Sequence, residues 1–302
     1  MFWYRCSLLR ATLLCALMGL VLSRAGMALE AGLFEVPLDD LEWIFSEVDS
    51  LECSLTKPVP GIGPVTLSAK AGARSHIVIP SHLLPLPHGS VYVGLAPASW
   101  NRTDQLSSVA ARPHSTENGL VLELEMLPSV WLAQLSRPLR LMLHFHGELG
   151  SDLVAVEVPT VGASLHRVRM TDCIKRLLPY DFEQLNGSVF YFQAGKDQLD
   201  DYQIAKLKCM ASYLKKDDSV KSVVVDGHSD SSGDRLRNLQ LSKKRAEAVV
   251  AHLEAAGIPA ERELRVRHHG QRYPTAANGT RAGRALNRRV VVRLGRDAGR
   301  AS

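Results

Sequence analysis

The chain has 302 residues, 46% hydrophobic and 22% charged, long enough to bury two cores of ordinary size and too apolar for intrinsic disorder. Its formal net charge of +5 is unevenly spread: residues 188–302 hold 22 basic against 13 acidic side chains, or +9, whereas residues 1–187 hold 14 against 18, or −4. A basic terminal third suits either nucleic acid or an anionic polymer.

The first segment reads as an export signal. Arg5 and Arg10 stand in a basic start, Ala11 to Leu22 is apolar, and small residues follow around Gly26-Met27-Ala28, which predicts a signal peptide over residues 1–28. The apolar run is about a dozen residues, short of the roughly 18 to 20 that span a bilayer, and no other segment approaches that length. Leu14 precedes Cys15 where a lipoprotein signal needs a small residue, which argues against lipidation. Export disfavours nucleic acid and leaves an anionic wall polymer as the partner of the basic third.

Of the five cysteines, Cys6 and Cys15 leave with the signal, so Cys53, Cys173 and Cys209 remain in an oxidising compartment. Cys209 sits in the helical stretch Ile204 to Met210 and is expected as a buried free thiol. Cys53 and Cys173 are then the natural pair, closing a loop worth roughly 4 to 5 kcal/mol of chain entropy.

Leu33 to Leu51 is mixed and acidic. From Val65 to Val158 short strands follow, including Leu120 to Met126, Leu139 to His146 and Leu153 to Val158. Pro58, Pro60, Pro64, Pro80, Pro85, Pro87 and Pro97 are expected at turns. A helix over Met170 to Leu178 is expected to carry Cys173 out of this β-rich domain, which is assigned to residues 29–187. Residues 188–302 then alternate strand and helix: strand Ser188 to Phe192, helix Asp200 to Leu214, strand Val220 to Asp226, helix Leu239 to Ala256 stopped by Gly257 and Pro259, and strands Leu264 to His269 and Arg289 to Leu294. The expected class is α/β, a small mixed sheet with helices on one face. The longer helix is expected to pack by Leu239, Ala246, Val249, Val250 and Leu253.

Asp230 lies just past a strand end and Arg245 fifteen positions on in the next helix, so both can face one crevice. There a carboxylate can hold an ammonium and a guanidinium a carboxylate, so a ligand that presents both groups fits. For an arbitrary Asp and Arg a surface salt bridge is the ordinary reading. His228-Ser229-Asp230 has the composition of a hydrolase triad, but consecutive residues alternate across a strand and cannot form the relay. His144 and His146 share a strand face without a third ligand, which reads as ordinary β surface, and His268-His269 is weaker still. No metal, cofactor or catalytic residue is expected.

The set Val225-Asp226-Gly227-His228-Ser229-Asp230, Asn238, Leu241-Ser242-Lys243-Lys244-Arg245-Ala246, then Gly270, Pro274, Asn278 and Asn287-Arg288-Arg289-Val290 resembles the OmpA-like peptidoglycan-binding domain. The family pattern is GHTD, then N-x-x-L-S-x-x-R-A, then P and N, then N-R-R-V, and the likeness covers about Val189 to Leu294. Ser229 stands where the family usually has Thr, His269 where an aromatic is common, and Gln193 where Asp is frequent. The resemblance implies that Asp230 and Arg245 hold diaminopimelate in the wall stem peptide, with Asn238, Ser229 and Arg289 adding hydrogen bonds.

Glu52-Cys53-Ser54-Leu55-Thr56-Lys57-Pro58-Val59-Pro60-Gly61-Ile62-Gly63 and Asp172-Cys173-Ile174-Lys175-Arg176-Leu177-Leu178-Pro179 resemble blocks of the MotY family of flagellar motor proteins. Both blocks contain a cysteine of the expected pair. This resemblance implies a periplasmic, non-catalytic component of a ring around the flagellar basal body, attached by its first domain, helping to anchor stator units and gripping the wall by its second. A general envelope tether of OmpA type is the other reading.

Overall fold

A computed structural model describes residues 32–37, 39–80, 90–98, 107–116, 119–135, 137–146, 152–259 and 261–296. The expected signal peptide with Cys6 and Cys15, and Pro85 and Pro87, lie outside the described residues.

The first domain is a sandwich of two sheets. Strands β1 (Gly32–Glu35), β2 (Ile44–Val48), β3 (Glu52–Val59), β4 (Gly63–Lys70), β5 (Arg74–Ile79), β6 (Ser90–Pro97), β7 (Ser107–Val109), β8 (Ala111–Thr116), β9 (Gly119–Leu124), β10 (Leu139–His146) and β11 (Asp152–Pro159) form a five-stranded sheet in the order β1-β11-β10-β6-β7 and a six-stranded sheet in the order β2-β3-β4-β5-β9-β8. Alternation decides which side chains go inside. Leu141, Leu143 and Phe145 of β10 meet Leu55, Leu67, Ile77 and Leu122 of the other sheet in one buried core. Helix α1 (Pro128–Leu135) adds Trp131, Leu132 and Leu135 to this core, and α2 (Arg167–Arg176) adds Met170 and Cys173.

Three prolines expected at turns lie in strands instead. Pro58 pairs Pro64 in the β3–β4 hairpin. Both stand past the residues at which β2 and β5 pair with these strands, so the absent N–H groups break no ladder to those neighbours. Pro97 likewise ends β6.

A disulfide joins Cys53 of β3 to Cys173 of α2, with Cα atoms 6.1 Å apart and both residues buried. The chain then leaves α2 through Leu178, whose N–H donates to the Ser50 carbonyl at 2.9 Å and whose carbonyl accepts from the Gly72 N–H at 2.9 Å. A short helix, α3 (Phe182–Leu185), follows, capped reciprocally by Asp181 and Gln184.

The second domain is a four-stranded mixed sheet in the order β12-β15-β13-β14, built from β12 (Ser188–Tyr191), β13 (Val220–Gly227), β14 (Glu263–His268) and β15 (Arg289–Arg296). β13 and β14 run parallel; β15 is antiparallel to both β13 and β12. Helices α4 (Asp201–Lys216) and α5 (Arg235–Ala255) cover one face, where Leu207, Met210, Leu214, Ala246, Val249 and Leu253 pack on Phe190, Val223, Val225, Val290 and Val292. α5 is the crossover that parallel strands require.

Local chemistry sets the helix ends. Asp200 and Gln203 form a capping box on α4. Asp234 caps α5 by accepting from the Leu236 and Arg237 N–H groups, so the helix starts four residues before the expected Leu239. Gly257, at φ +78°, ends it, donating to the Glu254 carbonyl at 2.8 Å. Leu239 is exposed; ahead of Ala246 the buried stripe continues through the polar residues Asn238, Ser242 and Arg245. Cys209 is a free thiol but only half-buried, because the inward stripe of α4 runs through Leu207, Met210, Ala211 and Leu214 and position 209 lies off it. A last helix not expected from the sequence, α6 (Arg281–Asn287), leads into β15.

Candidate functional site

Gly227 ends β13 where α5 comes closest: a Cβ there would stand 2.1 Å from the Ser242 carbonyl oxygen, so only glycine permits the approach. The segment that follows is pinned on both sides. The His228 N–H donates to the Arg289 carbonyl and the Ser229 N–H to the Gly270 carbonyl, each at 2.9 Å. These bonds deliver Ser229 and Asp230 to the crevice beside the strand ends, as the order of elements predicts.

Asp230 is buried. One carboxylate oxygen accepts from the Ser232 N–H at 3.0 Å and the other from Nη1 of Arg288 at 2.9 Å. Burial alone raises its pKa, but the hydrogen bonds from Arg288 and Ser232 outweigh it and hold the carboxyl below 3.8. Arg288 is itself fixed: its Nε donates to the Phe192 carbonyl at 3.0 Å.

Arg245 is fully buried, and each of its three nitrogens donates to a backbone carbonyl. Nε reaches Lys196 at 2.8 Å, Nη1 reaches His228 at 3.2 Å and Nη2 reaches Gln193 at 3.1 Å. Burial lowers its pKa to about 10, partly offset by the nearby Asp230, so the guanidinium stays charged at neutral pH. Each Nη carries a second N–H beyond the one it gives to a carbonyl. The structure brings Arg245 close enough to Asp230 for their charges to interact, with the arginine fully buried under three carbonyls instead of forming an open clamp.

Asn238 and Ser242 continue the buried face of α5 that carries Arg245. Asn238 donates to Gln271 at 3.1 Å. The Ser242 hydroxyl donates to the Leu239 carbonyl at 2.7 Å and accepts from the Gly270 N–H at 3.0 Å. Ser229 is buried, and its hydroxyl oxygen has no hydrogen-bond partner, an arrangement that costs free energy unless something supplies one.

Residues that the sequence reading left without a role build the far wall. Asn287, fully buried, accepts from the Thr275 and Ala276 N–H groups and donates to the Ala276 carbonyl and to Asn278. The Asn278 side-chain oxygen in turn accepts from the Ser231 N–H at 3.2 Å. The asparagines of the two downstream motifs thus hold the loop of residues 271–280 against the crevice.

Arg289 departs from expectation. Side chains alternate along β15, so Val290, Val292 and Leu294 face the helices while Arg289, Val291 and Arg293 face the other side of the sheet with Asp226. Arg288, the preceding residue, is the arginine that meets Asp230. The motif places two arginines in succession, and only the strand phase tells which one enters the crevice.

The remaining candidates are dispersed. The His228 ring stacks on His269, centroids 4.9 Å apart, and the partnerless Ser229 hydroxyl has no base to activate it, so no relay exists in His228-Ser229-Asp230. His144 and His146 lie on β10 with ring centroids 6.5 Å apart. Among the described residues no group of three His, Cys, Asp or Glu side chains could hold a metal ion, and no helix is long and apolar enough to cross a membrane.

Residues 34–179 match the MotY N-terminal domain and residues 191–288 match the OmpA family. The chain is 35% identical over 126 residues to the sodium-type flagellar protein MotY of Vibrio parahaemolyticus, a stretch covering 42% of this chain and 43% of that protein. It is 45% identical over 73 residues to the outer-membrane lipoprotein YfiB of Pseudomonas aeruginosa, covering 24% of this chain and 43% of the relative. The matched stretches thus span less than half the length of either relative. Among solved structures, the peptidoglycan-associated lipoprotein of Burkholderia pseudomallei aligns with 30% identity over 35% of this chain and 89% of its own, at a TM-score of 0.33. The chain carries a MotY N-terminal domain followed by an OmpA-family domain.

Proposed function

We propose that this protein is a non-catalytic, periplasmic component of the flagellar motor, with its first domain attached to the basal body and its second gripping peptidoglycan to help anchor stator units. The domain boundaries we assign are residues 29–187 and 188–302, after a signal peptide over residues 1–28. The reading of the first domain rests on its match to the MotY N-terminal domain, and that of the second on its match to the OmpA family.

The observation that carries wall binding is a buried carboxylate, Asp230, lying near a buried guanidinium, Arg245. The Asp230 carboxylate supplies a negative site for the ammonium of diaminopimelate, and the Arg245 guanidinium a positive one for its carboxylate. Ser229 and Asn238 supply hydrogen bonds, with Arg288 orienting Asp230. Binding and release then transmit force with no bond made or broken.

Two experiments test the two halves. The full chain is expected to co-sediment with purified peptidoglycan, and a supernatant free of loss contradicts wall binding. Deleting the gene is expected to abolish or slow swimming with cell shape intact; normal swimming with altered shape contradicts the motor assignment and favours a general envelope tether.

A further inference from the structure

On the open face of the second sheet, opposite the helices and the Asp230 crevice, lies a cavity of about 340 Å³ lined by Asp226, His228, Arg267, His269, Tyr273 and Arg289, with Val291 and Arg293. Two of its three arginines are accounted for. Arg267 gives Nε and Nη2 to the buried Asp226 carboxylate at 2.7 and 3.0 Å, and Arg293 gives Nη2 to the same carboxylate. Both keep about half of their side chains exposed at the rim, 52% and 53%.

Arg289 is different. It is 94% buried, with a relative exposure of 6%, and it makes no ion pair among the described residues. Nη2 donates to the Tyr273 carbonyl at 3.1 Å, while Nη1 is buried with no hydrogen-bond partner at all. A buried guanidinium without a counter-charge is costly. Its neighbour His228 adds no second positive charge, since burial and the Arg289 charge push that imidazole down to about 4 and leave it neutral. Tyr273, at φ +59°, is held in a conformation that non-glycine residues rarely adopt, and its carbonyl is the one that holds Arg289.

We infer that this cavity is a second ligand site, for a phosphate monoester, with Arg289 as its floor and Arg267 and Arg293 as its rim. The three guanidiniums against the single Asp226 carboxylate leave a formal +2, which a phosphate monoester of charge near −2 neutralises and a carboxylate does not. The free Nη1 of Arg289 and the outward N–H groups of the rim arginines supply donors for its oxygens. Tyr273, edge-on to His269 with centroids 5.5 Å apart and itself exposed, offers a surface for whatever body carries the phosphate. The site uses no residue that holds the stem peptide, so it stands whether or not the wall-binding reading does.

Calorimetric titration of the full chain with inorganic phosphate, at fixed ionic strength, tests the inference. The wild type is expected to bind saturably, Arg289→Gln to lose about tenfold or more in affinity, and Arg112→Gln, an exposed side chain of the first domain, to bind as the wild type does. Arg293→Gln changes an exposed side chain, so it keeps the test valid if Arg289→Gln fails to fold, and a loss of a few-fold is expected there. A wild type that does not saturate, or equal affinity in the wild type and both arginine variants, overturns the site. Acetate competing as well as phosphate overturns the dianion assignment. Glucose 1-phosphate and phosphatidylcholine vesicles containing phosphatidic acid separate the sources: binding of either, weakened in Arg289→Gln, supports the site and names the carrier, and binding of neither overturns it.

Discussion

Arg288 and Arg289 are adjacent in sequence and serve opposite faces of one sheet, and the difference decides what each substitution should do. Arg288→Ala removes the partner of a buried carboxylate, so Asp230 loses orientation and its pKa should rise toward or beyond the ordinary range. Asp230 itself makes a testable pH prediction. Its folded pKa lies below 3.8, so its contribution to stability is fully present above the unfolded value and is lost as pH falls through the folded pKa. Stem-peptide affinity should therefore hold from about pH 7 to about pH 5 on this group's account, and fall only in stronger acid. In Arg288→Ala the fall should begin at higher pH; an unchanged pH profile would show that Arg288 does not set the carboxylate's charge.

Among the secondary-structure elements, the close contact of β13 with α5 positions the crevice. Gly227→Ala puts a methyl group 2.1 Å from the Ser242 carbonyl, so α5 must shift and take Arg245 with it. A stability loss of about 1 to 3 kcal/mol is expected, the range for overpacking, together with weaker wall binding. Chemical denaturation and co-sedimentation measured on one variant check both, and full retention of both would mean that the contact is slack. Elements with strong periodicity were legible in the sequence: β10, with its alternating Leu141, Leu143 and Phe145, has the bounds expected of it, and the helix expected from Asp200 begins one residue later, with Asp200 as its N-cap. Elements without such a signal were not. β8, Ala111–Thr116, is mostly exposed and carries no apolar alternation, while α1 and α6 are eight and seven residues long, too short for a helical period to stand out. In the crevice, Asp230 and Arg245 were legible because the order of strand, turn and helix fixes where they go. The exchange of Arg288 for Arg289 was not, because it depends on the residue at which β15 begins.

Across the whole molecule, the disulfide pins α2 to the sandwich, and the segment after α2 leads into the second domain. Cys53→Ser and Cys173→Ser should each destabilise the first domain by about 2 to 5 kcal/mol, the double variant should be no worse than either single one, and Cys209→Ser should have a much smaller effect. Thermal melts and peptide mapping without reduction read this out; either cysteine linked to Cys209 would refute the pairing. Beyond the linking segment, Arg74 bonds both Asp181 and Glu123, and Leu51 of the sandwich packs against the second core, so a load taken by the crevice has a packed route to the first domain. In the proposed function that chain of force begins with a grip on the wall. The most direct test of the grip is the affinity of the full chain for a diaminopimelate-containing stem peptide, in the wild type and in a folded Asp230→Ala variant. Loss of one charge-assisted interaction of about 1.5 to 3 kcal/mol predicts binding weaker by about one to two decades; equal affinity in the two proteins would contradict the assignment of the crevice.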